Sequence, residues 1–195
     1  MQGGTMADVE DEVRRVVEFV EETTGLRSRW NGQVIILEES EIQTRQGRGA
    51  LGEKQWNCGI LIHAALQDNL LRWRTLLHEA LHSVSAGLTE EDYRRFRGWE
   101  EGVVECLQRR WRPELLQTLG GEVPEGAFEV SERFWPLNGY LEALQALQEA
   151  TGREPEMFYR DLLRTPLALR LATVRSWGSE PGFLSLLAHT IGKLR

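Results

Sequence analysis

The chain of 195 residues is poor in several features that would narrow its class quickly. It has no apolar run near the roughly 20 residues that a membrane-spanning helix requires, so no membrane partner is expected. Its start, MQGGTMADVEDEVRR, is acidic and polar where a secretory leader has a basic stretch followed by an apolar one, so a cytoplasmic setting is expected. Cysteine is scarce. Cys58 and Cys106 stand far apart without the paired spacing of a thiolate zinc site or a redox motif, and read as buried reduced thiols. Positive charge is in deficit, with 23 Lys+Arg against 30 Asp+Glu and a formal net charge of -7. A phosphate backbone would be repelled on average, which argues against a nucleic-acid partner. The glycine-rich stretch RQGRGALGEK lacks the terminal Lys-Ser/Thr of a phosphate loop and reads as an irregular or edge segment. Repeats and low-complexity tracts are absent.

What remains, at 41% hydrophobic residues, is enough for one domain with a substantial core, split into two lobes. From Ala7 to about Thr23, Val9, Val13, Val16, Val17 and Val20 recur at helical spacing, with acids in the first turn where they suit the macrodipole. Val34 to Leu37 and Gly59 to Ile62 are short runs rich in β-branched residues and predict strands. A helix capped by Asp68 or Asn69 should run to Gly87. Thr89 opens a further helical stretch that Gly98 should interrupt and Pro113 should end. Beyond Glu114 everything reads as helical, most clearly Tyr140–Ala150, Pro166 to about Trp177 after the cap Thr165, and Pro181 onward. Trp73, Trp99, Trp111, Trp135 and Trp177 mostly fall at apolar helical positions and read as core. The fold class is α+β, with an N-terminal lobe over 1–87 and a helical C-terminal lobe over 88–195.

His78, Glu79 and His82 spell H-E-x-x-H in the first of these long helices. At 100° per residue, His82 lies about 40° and Glu79 about 100° from His78, so one quadrant holds all three. Two imidazoles four apart grip one metal ion, and the carboxylate beside them is poised for proton transfer. Trp73, Leu77, Ala80, Leu81 and Val84 occupy the opposite, core-facing side. A third ligand is available after the 18 residues from Ser83 to Glu100, at Glu101 in Trp99-Glu-Glu-Gly-Val-Val-Glu105. Glu105, four residues on, shares its face and could accept the spare ring N–H of a liganding histidine. Glu100 is the rival third ligand, and a ladder in which Glu101, Glu105 and Arg109 pair along a solvated face is the competing account of this helix.

H-E-x-x-H followed by a Glu in a Glu-Gly context, with an acid four positions on, resembles the gluzincin branch of the zincin metallopeptidases over residues 70–107. The resemblance implies a zincin-like fold with a small sheet and the catalytic helix in the first lobe. It also implies Zn²⁺ held by His78, His82 and Glu101, Glu79 as general base and acid, and Glu105 as the partner behind a liganding histidine. Strands before the catalytic helix and helices after the third ligand agree with that order.

The chemistry expected is hydrolysis of a peptide or protein substrate. Three protein ligands leave zinc a fourth position for water, whose proton Glu79 takes as the carbonyl is attacked. The oxyanion donor is sought among Tyr140, Tyr159 and His189, with Tyr140 preferred as the first phenol after the ligand helix. His63 ends the second strand and reads as a half-buried strand-end histidine. Two rivals are a zinc-stabilised binding or regulatory domain, which would not need Glu79, and a non-peptidase amidase using the same zinc water. An extended substrate would add to a sheet edge by main-chain hydrogen bonds.

Overall fold

A computed structural model describes residues 6–37, 52–54, 59–66, 69–120, 124, 126–178 and 180–194. Its elements in chain order are α1 (Met6–Thr24), β1 (Val34–Leu37), β2 (Gly52–Lys54), β3 (Ile60–His63), α2 (Leu71–Val84), α3 (Glu90–Thr118), α4 (Glu129–Arg133), α5 (Asn138–Thr151), α6 (Pro155–Arg164), α7 (Arg170–Trp177) and α8 (Pro181–Ile191). The architecture is α+β, mostly helical, and no helix among the described residues is long and apolar enough to cross a membrane. The chain forms two compact units, one of 1–84 with 111–128 and the other of 85–110 with 129–195.

In the first unit the strands order as β1-β3-β2. β1 pairs with β3 in parallel, from Val34 opposite Ile60 to Leu37 opposite His63. β2 pairs antiparallel with the other side of β3, Gly52 opposite Ile62. The last three residues of the glycine-rich stretch form β2, at an edge of the sheet among the described residues, and the rest of that stretch lies outside them. The Ile-Leu-Ile run of β3 takes the centre, where a strand buried on both faces needs continuous apolar side chains. α2 packs against the sheet and α1. The valine stripe of α1 supplies Val13, Val16 and Val20, and α2 supplies Leu76, Leu77 and Leu81, all essentially without exposed surface. Truncating one such leucine to alanine would cost about 2–5 kcal/mol. Arg72 reaches from α2 to Glu12 of α1 at 2.9 Å. Past α1, the Arg29 N–H donates to the Ser83 carbonyl at 3.0 Å and the Ser28 and Ser83 hydroxyls pair at 2.7 Å, satisfying the end of α2.

Asn69 caps α2, its side-chain oxygen accepting from the Leu71 N–H at 2.9 Å, and Thr89 caps α3 by accepting from the Asp92 N–H at 3.1 Å. α3 differs from expectation in two ways. Gly98 does not interrupt it; the non-helical residue is Phe96, at φ -130° and ψ 30°. Pro113 does not end it either, and the helix continues to Thr118.

The second unit explains Gly98. A Cβ there would lie 2.6 Å from the Leu194 Cα, so the glycine lets two backbones meet. At Gly102 a Cβ would lie 2.6 Å from the Leu144 Cδ1 and 3.2 Å from the Tyr140 Cβ, so α5 seats directly on α3. Thr165 ends α6 rather than starting a helix, and the chain passes through a 3₁₀ turn at Leu167–Leu169 before α7. Trp99 and Trp111 are core residues, while Trp73, Trp135 and Trp177 are only partly buried, and Arg72 and Arg153 stack over Trp73 and Trp177 at 4.7 and 4.2 Å. Cys58 lies outside the described residues, and Cys106 is a free thiol, mostly buried.

Candidate metal centre

α2 is buried along nearly its whole length. Its apolar side fills the core of the first unit, and the side bearing Arg74, Thr75, Glu79 and His82 is buried too. His78 keeps partial exposure. Buried polar side chains of this kind need partners, and α2 supplies one pair itself. The Nε2 atoms of His78 and His82 face each other at 3.2 Å, with the rings close to edge-on, their planes 78° apart and centroids 4.8 Å apart. Two nitrogens on one tetrahedral zinc, at the usual bond length, are separated by about 3.3 Å. Glu79, one residue along the same helix from His78, is 5% exposed.

Glu101 is also buried, at 6% exposed. It lies on α3, where the Tyr93 hydroxyl donates to its Oε1 and the Arg97 Nε stands 3.8 Å from the same oxygen. Among the described residues, His78 and His82 of the first unit and Glu101 of the second have the side-chain chemistry that a metal ion takes. The donor set of two imidazoles and a carboxylate suits zinc, which takes nitrogen and oxygen donors in mixed sets.

Glu100, the rival ligand, is otherwise engaged. Its side chain has no exposed surface, pairs with Arg170 at 2.8 Å, and accepts from the Ser85 hydroxyl at 2.8 Å. Arg170 also donates to the Ser85 Oγ at 2.7 Å and the Trp99 carbonyl at 3.1 Å. Burial pulls the Arg170 guanidinium below its ordinary range, and Glu100 opposes that shift. Glu105 is fully buried and accepts from the Arg109 Nε at 2.9 Å, while Arg109 donates onward to the Asn138 side chain at 2.9 Å. One rung of the charge ladder therefore exists, on a buried face instead of a solvated one.

The three oxyanion candidates part company. Burial and the neighbouring Cys106 raise the Tyr159 phenol, whose hydroxyl bonds to that thiol. His189 is exposed on α8. Tyr140 packs its Cβ near Gly102, and its phenol contributes to the field at Arg97. Burial works to lower the Arg97 guanidinium, but Tyr93, Glu101 and Tyr140 together hold it above its ordinary value. His63 is partly buried at the end of β3, where its Nδ1 accepts from the Ala65 N–H at 2.9 Å.

Tyr93, Arg97 and Arg170 were not singled out by the motif. The signal for the first two was present: Tyr93, Arg97, Glu101, Glu105 and Arg109 follow one another at intervals of four, the spacing of a single helix face. No family model, curated protein or solved structure matches this chain.

Proposed function

We propose that the chain is a zinc-dependent peptidase of gluzincin type, with His78, His82 and Glu101 holding the metal and Glu79 as general base. The observation that carries this reading is the His78–His82 Nε2 separation of 3.2 Å, that of two ligands on one ion. Glu79 adds the feature that a purely structural site has no use for. When bound, zinc acts as a Lewis acid that makes water a nucleophile near neutral pH and polarises a carbonyl.

The chain's own residues do the rest. Glu79 takes the proton of the attacking water and returns it to the departing amine. Tyr140 is assigned as the donor to the developing oxyanion. An extended substrate pairs with the β2 edge, where Gly52–Lys54 has β3 on one side only among the described residues.

The test is metal analysis and hydrolysis of a generic peptide by wild type, His82→Ala and Glu79→Gln. Wild type should hold one zinc per chain and cleave the peptide. His82→Ala should lose the zinc, and Glu79→Gln should keep it while hydrolysis falls at least about 100-fold. Activity retained in Glu79→Gln overturns the mechanism, and zinc retained in His82→Ala overturns the site.

A further inference from the structure

Glu101 is held from behind. The Tyr93 hydroxyl donates to its Oε1, and the Arg97 Nε stands 3.8 Å from the same oxygen. Phenol and cation thus converge on one carboxylate oxygen. In a straight helix Tyr93 and Glu101 would stand about 12 Å apart along the axis and about 80° apart around it. The departure from helical geometry at Phe96 falls between them and closes that gap.

We propose that Tyr93 is a positioning residue for Glu101, anchoring Oε1 and so fixing the orientation in which the carboxylate would take a metal ion. The inference rests on the metal site proposed above. A carboxylate on a two-carbon stem has rotamers that carry it away from an ion, and burying it without orientation wastes its charge. Ligating groups fixed by an outer hydrogen bond lose less freedom on binding, and removing such a bond typically weakens metal affinity about 10- to 100-fold. The donor here lies eight residues before its acceptor, across the break at Phe96.

The experiment compares wild type, Tyr93→Phe and Tyr159→Phe. Each is measured for zinc affinity by competition with a chromophoric chelator, for the visible spectrum of its cobalt-substituted form, and for the urea midpoint of its metal-free form. Tyr93→Phe removes one oxygen from a partly exposed ring and should leave the urea midpoint unchanged. Its zinc affinity should fall about 10- to 100-fold, and its cobalt bands should shift as Glu101 loses its fixed orientation. Tyr159→Phe, whose hydroxyl serves Cys106, should bind zinc as wild type does. Equal or tighter zinc binding by Tyr93→Phe overturns the inference, as does an equal loss in Tyr159→Phe. A wild type that binds no zinc, or binds it just as well after His82→Ala, overturns the underlying metal reading instead.

Discussion

Arg170 and Glu100 pair at 2.8 Å with neither side chain reaching solvent. Together with the Ser85 hydroxyl and the Trp99 carbonyl they form a closed polar cluster inside the second unit. Deleting one partner leaves the other charge buried and uncompensated, so Arg170→Met and Glu100→Gln should each lower stability by about 3–5 kcal/mol in urea unfolding. The same cluster separates two adjacent acids by role. Glu100→Ala should destabilise the fold strongly, whereas Glu101→Ala should leave the urea midpoint nearly unchanged and weaken zinc binding sharply. The opposite pattern would exchange their assignments.

The glycines of α3 and α5 should divide by what surrounds them. Alanine at Gly98 or Gly102 would push into the Leu194 backbone or the Leu144 side chain, and each should cost about 1–3 kcal/mol. Gly139, in the first turn of α5, has nothing within 4 Å of its absent Cβ, and Gly139→Ala should be neutral or stabilise by up to about 1 kcal/mol. Thermal unfolding of the three variants ranks them.

Burial pushes the Cys106 thiol from 9.0 up to about 11, against a smaller opposing effect of its hydrogen bond to Tyr159. Its native pKa is raised, so the native state holds the proton that the unfolded chain gives up. The associated stability is intact below about pH 9 and is lost as pH climbs towards 11. Wild type should therefore lose about 2–3 kcal/mol more than Cys106→Ala over that interval, at about 1.4 kcal/mol per unit. Urea midpoints at pH 8, 9, 10 and 11 measure the difference. Parallel curves for the two proteins would exclude the effect.

Zinc binding to the native state alone should raise the unfolding temperature in proportion to the logarithm of free metal. The gain should be about 2.7 kcal/mol at a hundredfold excess over Kd. Chelation should reverse it, acidification should weaken it as protons compete for the imidazoles, and His78→Ala should abolish it. Calorimetry across a zinc series reads this out.

How much of this was visible in the sequence depends on whether the cause is local. The valines of α1 and the β-branched runs of β1 and β3 gave those elements within a residue or two, because periodicity is a property of the segment itself. Caps at Asn69 and Thr89 were legible for the same reason. Gly98 was misread because its glycine serves a long-range contact with Leu194, which no local pattern announces. Pro113 within α3 shows tertiary context overriding a helix breaker, and Thr165 looked like the start of a helix while serving as the end of α6. The approach of His78 to His82 was legible because their spacing is their geometry. Glu100 and Glu101 were indistinguishable until Arg170, 70 and 69 positions away, claimed the first of them. Tyr93 stood in the every-fourth pattern, but the bend at Phe96 that accompanies its bond to Glu101 has no local signature.

The end of α2 is tied down by residues that follow α1, through the Arg29 N–H on the Ser83 carbonyl and the paired hydroxyls of Ser28 and Ser83. Ser83 is the immediate neighbour of His82. A substitution at Ser28 or Arg29 would therefore be felt at an imidazole more than 50 residues downstream.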